Sequence, residues 1–372
     1  MKIAIVGTVG VPGRYGGFET LAENLVRQHH SRSRDADLTV YCSAEAYSDR
    51  TPAFLTATLR YSRFKANGLQ SIVYDAVTLF DAARRGHDVA LLLGVSGAVA
   101  LPFIRLFSGM RIVTNVDGIE WRRSKWNGPV RQFLRLSEWM AVRFSHQVVA
   151  DNEGIADHIR RSYGVHSTVI AYGGDHALDR AGQPAGDCGG PAFDKGYALA
   201  LCRIEPENHV SMILEAFAAT GRPLVFVGNW NNSAYGRDLR ERYAQTEAIH
   251  LLDPIYDAGA LYRIRANSGL YVHGHSAGGT NPALVEMMHF GLPILAFDCV
   301  YNRYTTENQA SFFSSAGELA RIATLPPQPG QGAMLRAIAR RRYIWSQIGN
   351  EYFELLGVHD NEPAMVTEDT LT

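Results

Sequence analysis

The sequence contains few cysteines, and their spacing forms no motif. Only four occur among 372 residues, and no two of them stand as a CxxC pair: Cys42, Cys188, Cys202 and Cys299. Isolated cysteines argue against a zinc site, and they are typical of reduced thiols in a cytosolic protein.

The sequence also lacks a long apolar run and an excess of charge of one sign. No uncharged run reaches the roughly 18 residues that a membrane helix requires. The apolar run at residues 2–6 leads directly into a Gly-rich loop, which predicts a first strand and not a signal peptide. The formal net charge is -1, which gives no general reason to expect a nucleic-acid partner. We therefore expect a cytoplasmic protein that binds no nucleic acid.

Short apolar runs alternate with amphipathic stretches along most of the chain, which predicts parallel sheets covered by helices. In the first half we predict strands at Lys2–Val6, Leu38–Cys42, Ser71–Tyr74, Val89–Leu93, Arg111–Val116, Gln147–Ala150 and Thr168–Ala171. In the second half we predict strands at Tyr197–Cys202, Leu224–Gly228, Gly269–Val272 and Pro293–Phe297. The pattern predicts an α/β protein.

A stretch rich in Gly and Pro, residues 181–191, separates the two series of strands and predicts a linker. We therefore expect an N-terminal Rossmann-like domain over residues 1–185 and a C-terminal one over 186–330. A helix over 331–357 and a tail over 358–372 follow. Two doubly wound domains would face a cleft at the carboxyl ends of their strands, where such sheets bind ligands.

The most informative segment is a Gly-rich turn followed by a short helix and an apolar strand, over residues 278–297. Such a turn directs free backbone N–H groups and the positive end of the helix dipole toward one point, which suits a diphosphate. Gly278, Gly279, Thr280 and Asn281 form the turn. Glu286, two turns into the helix, can accept hydrogen bonds from a ribose. An ordinary βαβ crossover with a tight turn remains the alternative.

A second Gly-rich loop, residues 7–20, follows the first predicted strand. It has neither GxGxxG spacing nor the Gly-Lys-Ser/Thr of a P-loop, so the dinucleotide and NTPase interpretations are weak. The adjacent Gly16 and Gly17 allow the backbone to approach a ligand closely.

These two segments resemble the retaining glycosyltransferases of the GT-B fold, and the loop at residues 7–20 resembles one bacterial subgroup of glycosyltransferase family four, the polysaccharide rhamnosyltransferase-like enzymes. Further strings resemble the same subgroup: Asp117–Trp121, Lys125–Trp126, Ala150–Ile155, Tyr172–Asp175 and Arg203–Asn208. The resemblance extends over about residues 1–310. It implies an acceptor domain over 1–185, a donor domain over 186–330, and a last helix that packs back toward the first domain.

The resemblance implies roles for individual residues. Arg203 matches the arginine that holds the donor phosphates, and a guanidinium can stabilise charge on the leaving group. The predicted donor site comprises Arg203 and Glu286, together with Gly16, Gly17, Gly278, Gly279, Thr280 and Asn281. Two positions depart from the family pattern: Asn208 replaces a lysine, and Gly278 replaces the first glutamate of the Glu-x7-Glu motif. The second departure implies a different sugar pocket, such as one for a deoxy-sugar.

Two carboxylates follow the predicted strand Arg111–Val116. Asp117 or Glu120 can accept the proton of an acceptor hydroxyl, because side chains at the carboxyl end of such a strand meet the ligand. The alternative is that Asp117 begins a turn with Gly118. With Arg203 they form the predicted catalytic set.

No metal site is expected. Asp35-Ala36-Asp37 fits the DxD pattern, but it lies in a polar stretch that predicts a turn. His273 and His275 precede the Gly-rich turn and are expected to line the cleft. The donor diphosphate would then be held without a metal, and no cofactor is expected beyond the nucleotide-sugar donor.

Residues 121–144 combine six Lys and Arg residues with one acid and five aromatic residues. This composition suits the headgroup layer of a bilayer, whereas the alternative is a helix with core aromatics and solvated arginines. We expect a peripheral protein at the inner face of the cytoplasmic membrane.

The leading hypothesis is a retaining, metal-independent glycosyltransferase that moves a hexose or deoxyhexose, such as rhamnose, to a lipid-linked saccharide in cell-surface polysaccharide biosynthesis. The alternatives are a nucleotide-sugar epimerase of the same fold and a non-catalytic subunit that binds a nucleotide sugar.

Overall fold

The computed structural model describes residues 1–13, 16–68, 70–122, 126–179 and 196–358. The predicted linker, the domain boundary at residues 185 and 186, and the tail beyond Val358 lie outside these residues. Within them the chain folds as an α/β protein with two sheets. The predicted fold class is confirmed.

The first sheet has eight strands in the order β3-β4-β2-β1-β5-β6-β7-β8. Its strands are β1 Lys2–Val6, β2 Asp37–Ser43, β3 Ala53–Phe54, β4 Ala57–Ser62, β5 Val89–Leu93, β6 Arg111–Val116, β7 Gln147–Ala150 and β8 Thr168–Val169. Strand β1 pairs in parallel with both β2 and β5, and only the short β3 pairs antiparallel, with β4, among the pairings described.

The second sheet has six strands in the order β11-β10-β9-β12-β13-β14, and its strands pair in parallel. They are β9 Ala198–Leu201, β10 Leu224–Val227, β11 Ile249–Leu252, β12 Leu270–His273, β13 Ile294–Phe297 and β14 Ser311–Phe313. This is the doubly wound order, in which the direction of winding reverses between β9 and β12. Ligands of such sheets bind outside the carboxyl ends of the strands at that reversal.

Thirteen α-helices lie between or after the described strands. They are α1 Gly17–Ser31, α2 Gln70–Arg84, α3 Leu101–Phe107, α4 Gly128–Phe144, α5 Glu153–Tyr163, α6 Val210–Thr220, α7 Ala234–Tyr243, α8 Ala258–Asn267, α9 Pro282–His289, α10 Val300–Thr305, α11 Ala316–Thr324, α12 Gln331–Arg342 and α13 Trp345–Leu356. Within the described ranges, none of them combines the length and apolar character that crossing a bilayer demands.

The described residues form two compact units. The first comprises residues 1–114, 143–147 and 349–358, and the second comprises 115–142 and 148–348. Strand β1 is buried from Ile3 to Val6 and provides the centre of the first core. The second core is built around buried aromatic side chains that include Phe217, Phe226 and Trp230. Parallel strands buried on both faces explain the continuous apolar runs in the sequence.

Three local predictions were wrong. The predicted strand Ser71–Tyr74 is part of helix α2, because its apolar residues continue with helical spacing to Phe80. Strands β3, β4, β11 and β14 were not predicted. The predicted helix over 331–357 is divided into α12 and α13, which are separated at Tyr343.

Candidate functional site

The loops after β9 and β12 flank the reversal of strand order in the second sheet, and they are joined by hydrogen bonds. Ser276 donates through its backbone N–H (3.3 Å) and through its hydroxyl (2.9 Å) to the carbonyl oxygen of Glu207. His209 Nδ1 lies 2.8 Å from the carbonyl oxygen of Gly274. Arg203 belongs to the first loop, and the Gly-rich turn belongs to the second. The structure therefore brings two predicted parts of the donor site to one edge of one sheet.

The Gly-rich turn begins helix α9 as predicted from its sequence. Asn281 is the N-cap, and its Oδ1 accepts a hydrogen bond of 3.0 Å from the N–H of Ala283. Pro282 occupies the first turn, where its missing N–H has no cost. Gly278 has φ +101°, a conformation that L side chains rarely adopt. A glutamate at this position would be strained, so the departure from the family motif matches the local backbone.

Two loops from the first half of the sequence hold this turn, and both belong to the second unit. The N–H of Gly279 donates to the carbonyl oxygen of Asp117 over 3.1 Å. Thr280 donates through its hydroxyl to the carbonyl oxygen of Asp151. A Cβ atom on Gly118 would lie 3.0 Å from Cα of Gly278. Asp117 and Gly279, predicted for separate roles, are therefore neighbours.

Asp151 is a buried carboxylic acid behind the turn, and no role was predicted for it. Its side chain is 1% exposed, and its Oδ1 has no hydrogen-bond partner. Burial, with a further contribution from the charge of Asp117, raises the pKa of Asp151 well above its usual range, although the N–H of Thr280 opposes the shift. An apolar site favours the neutral form of a carboxylic acid. The only sequence signal for Asp151 is its place in the string at residues 150–155.

Glu286 lies on the second turn of α9 and forms a buried ion pair with Arg265 at the end of α8. Its other oxygen, Oε1, lies 3.3 Å from His176 Nε2. Burial acts to raise the pKa of Glu286, but the charge of Arg265 and the hydrogen bond from His176 outweigh it, so the pKa is lowered. The carboxylate is therefore ionised at neutral pH.

His176 and Arg265 were not predicted, because each lies far from Glu286 in the sequence. Trp345 Nε1 lies 2.9 Å from His176 Nδ1. An indole N–H can only donate, so Nδ1 accepts and the proton of neutral His176 stays on Nε2, directed toward Glu286. Gly174 precedes this histidine, and a Cβ atom there would lie 2.7 Å from the backbone nitrogen of Glu286.

Arg203 follows β9, with its side chain 45% exposed and 3.8 Å from Glu205. Asn208, which replaces the family's lysine, is 1% exposed and donates from Nδ2 to the carbonyl oxygen of Arg203 over 2.7 Å. It therefore fixes the backbone that carries the arginine. The guanidinium itself remains accessible to an anion.

Gly16 and Gly17, the remaining predicted donor residues, belong to the first unit and begin helix α1. Gly16 has φ +132°, and a Cβ atom there would lie 1.9 Å from Oε2 of Glu19. Glu19 accepts a hydrogen bond of 2.8 Å from the N–H of Val9, and burial raises its pKa. Both the backbone conformation and this contact explain why glycine occupies position 16. The predicted donor contacts of Gly16 and Gly17 stay a prediction.

Glu120 accepts a hydrogen bond of 3.0 Å from Trp126 Nε1. In the same region, Glu138 is fully buried and accepts hydrogen bonds from Tyr163 (2.6 Å) and Trp121 (3.1 Å). Two of the three tryptophans in the predicted membrane region therefore contact acids within the protein. Arg123 and Lys125 lie outside the described residues.

No group of three or more His, Cys, Asp or Glu side chains in the described ranges is arranged to hold a metal ion. Asp37 is the first residue of β2, and the backbone before it turns with a 3.0 Å hydrogen bond from the N–H of Ala36 to the carbonyl oxygen of Arg34. His273 is buried and stacks on His275 with ring centroids 4.9 Å apart.

Residues 1–175 match a sequence family described as a domain of unknown function, DUF1972. No curated protein matches the chain in sequence. Among solved structures, sucrose-phosphate synthase from Thermosynechococcus elongatus is similar with a TM-score of 0.74 and 13% identity, over 96% of this chain and 98% of that one. HepE of Anabaena in complex with UDP-glucose is similar with a TM-score of 0.66 and 16% identity, over 96% and 99%.

The catalytic domain of starch synthase IV from Arabidopsis thaliana, bound to ADP and acarbose, is similar with a TM-score of 0.69 and 12% identity, over 96% of this chain and 98% of that domain. At these identities the likeness concerns the fold. The chain has the GT-B fold of glycosyltransferases.

Proposed function

We propose that the protein is a glycosyltransferase that uses a nucleoside-diphosphate sugar as donor. The observation that carries the proposal is the arrangement at the strand reversal of the second sheet. There the exposed guanidinium of Arg203 and the N-terminus of α9 belong to two loops that are hydrogen-bonded to each other. Among the similar structures, HepE is in complex with UDP-glucose and starch synthase IV is bound to ADP, which supports the same ligand class here.

In the proposed complex, Arg203 and the Gly-rich turn hold the diphosphate, and Glu286 accepts hydrogen bonds from the ribose. Arg265 and His176 keep Glu286 ionised, which suits an acceptor of two hydroxyl hydrogen bonds. Arg203 and the helix dipole stabilise the negative charge that develops on the leaving diphosphate. The donor sugar is proposed to be a deoxyhexose such as rhamnose, because Gly278 offers no carboxylate to a sugar hydroxyl.

The acceptor is proposed to be a lipid-linked saccharide of a cell-surface polysaccharide, and the transfer to retain the anomeric configuration. Asp117 or Glu120 would accept or orient the acceptor hydroxyl. The exposed residues Arg135, Leu136, Trp139 and Arg143 of α4 would contribute to attraction by an anionic inner membrane.

A thermal-shift screen followed by turnover assays tests the proposal. A nucleotide sugar that binds only the folded state raises stability as ln(1 + [L]/Kd), so the true donor should raise Tm, and Arg203→Ala should abolish that rise. Transfer to a saccharide acceptor is the expected reaction. Absence of any shift across nucleoside diphosphates and their sugars would contradict the proposal.

Two other functions predict different results in the same assays. An epimerase would convert the donor in the absence of any acceptor. A subunit without catalytic activity would bind a donor and convert none, and this candidate is favoured by the replacements at Asn208 and Gly278. Product analysis with and without acceptor separates the three.

A further inference from the structure

Helix α2 exposes an apolar stripe to solvent in the first unit. Val73, Val77 and Phe80 are 44%, 43% and 45% exposed, and their spacing places them along one side of the helix. The other side packs on the sheet through Tyr74, Thr78 and Leu79. An amphipathic helix normally shows charged residues on its outer side, so the stripe needs a separate explanation.

Helix α3 carries the most exposed aromatic and aliphatic side chains of the first unit. Phe103, Leu106 and Phe107 are 56%, 74% and 76% exposed, while Leu101 and Ile104 of the same helix are buried. Helices α2 and α3 pack against each other. We name the exposed side chains of these two helices the α2/α3 face.

The charge around the α2/α3 face is positive. Arg84 ends α2, Arg105 lies within α3, and both are exposed. Arg105 donates to the carbonyl oxygen of Phe144 over 3.3 Å, which places the exposed Arg143 beside the same helix.

The acids of these helices do not neutralise that charge. Helix α3 contains no acid, and α2 contains two. Asp75 is 3% exposed, and Asp81 accepts hydrogen bonds from Arg60, Arg85 and the Tyr41 hydroxyl. The face therefore combines apolar side chains with arginines and lacks an exposed acid on either helix.

We propose that the α2/α3 face is a docking surface for an anionic lipid bilayer. Large exposed patches of apolar side chains mark interaction sites. Phe and Leu side chains enter the boundary between headgroups and acyl chains, and the arginines contact the anionic headgroups. The inference rests on the membrane partner of the proposed function and assigns it a further contact surface, but the binding itself requires neither donor nor acceptor.

The test is co-sedimentation with vesicles of equimolar phosphatidylglycerol and phosphatidylcholine, compared with phosphatidylcholine alone. The wild-type protein should bind the anionic vesicles, and salt should weaken the binding because it screens charges. The variant Phe103→Ser/Leu106→Ser/Phe107→Ser should lose about tenfold or more in partition coefficient, since it removes three inserted apolar side chains. A matched variant, Val300→Ser/Leu325→Ser/Met334→Ser, changes side chains that are 48%, 50% and 44% exposed elsewhere and should bind as the wild type does.

A second variant, Val73→Ser/Val77→Ser/Phe80→Ser, keeps the test valid if the first does not fold, and it should bind more weakly too. Equal binding by the wild type and both α2/α3 variants would overturn the proposal. So would a wild-type dimer that the variants convert to monomer, because the face would then bind a second copy. Donor turnover with a soluble acceptor is measured in parallel. Absence of donor turnover by the wild-type protein would overturn the proposed function and leave the docking result unaffected.

Discussion

A Cβ atom on Gly279 would lie 1.8 Å from Oδ1 of Asp151 and 2.4 Å from its Cγ. The Gly-rich turn and the buried acid thus touch at a point where no side chain fits. The same acid accepts a hydrogen bond from the N–H of Thr280. Asp151 therefore acts as a positioning residue for the backbone that begins α9.

We expect Gly279→Ala to impair donor binding, because the added methyl group must displace either Asp151 or the turn itself. A loss of about tenfold or more in kcat/KM corresponds to a change of about 1.4 kcal/mol. Gly317→Ala is the matched control, because a Cβ atom at Gly317 meets nothing within 4 Å. Unchanged kcat/KM in Gly279→Ala would show that the turn does not hold the donor.

Arg203→Ala should reduce kcat/KM by about a hundredfold or more, because a lost contact to the leaving diphosphate removes about 2–4 kcal/mol of transition-state stabilisation. Its thermal stability should remain close to that of the wild type, since the guanidinium is half exposed and its ion pair with Glu205 is long, at 3.8 Å. Arg240→Ala, which removes another exposed ion pair, is the control and should retain activity.

Glu286→Ala should lower the free energy of unfolding, and it should also impair donor use. Removing one partner of a buried ion pair leaves the other charge without compensation, at a cost of about 3–5 kcal/mol. Arg265 is 7% exposed in its side chain, so it cannot regain water in place. Urea unfolding measures the loss in free energy of unfolding. The value for Glu286→Gln should lie between those of the wild type and Glu286→Ala. An unchanged midpoint in Glu286→Ala would argue against the ion pair.

His273 should make the free energy of unfolding decrease measurably as the pH falls below neutrality. Burial lowers its pKa to about 3, while an unfolded histidine has a pKa of about 6.5. Between these values the unfolded state binds more protons, so the contribution to stability falls as pH decreases below 6.5, by up to about 1.4 kcal/mol per pH unit. His273→Gln removes this dependence. The measurement is the free energy of unfolding at pH 7, 6 and 5, with the exposed His166→Gln as control.

Turnover should persist in EDTA, because Arg203 and the N-terminus of α9 can stabilise the charge of the leaving diphosphate without a metal. The measurement is the initial rate of donor consumption before and after chelation. Loss of the rate on chelation, with recovery on addition of Mg²⁺ or Mn²⁺, would contradict the proposed phosphate site.

Sequence alone predicted the strands at the centre of both sheets, because buried parallel strands are continuous apolar runs. It failed where the composition is ambiguous. The run Ile72-Val73-Tyr74 has strand propensity, but it continues with helical spacing to Phe80, and the longer pattern prevails. Strand β11 was missed because three of its four residues are only partly buried.

The local parts of the candidate site were predictable, and its long-range parts were not. Asn281 and Pro282 mark the start of α9 in the sequence itself. The partners of Glu286, by contrast, come from Arg265 on another helix and from His176, more than a hundred residues earlier. No local pattern encodes such contacts, and the buried Asp151 is likewise recognisable only by what surrounds it.

The last described residues complete the first unit. Arg34 stacks its guanidinium 4.3 Å from the ring centroid of Phe353 and donates a 2.5 Å hydrogen bond to Asn350, and Arg111 donates to the carbonyl oxygen of Leu355. During synthesis the ribosome delivers these residues only after the whole second unit has emerged. Until then the first unit lacks its final helix, and part of its core is exposed. We therefore expect the nascent chain to depend on chaperones.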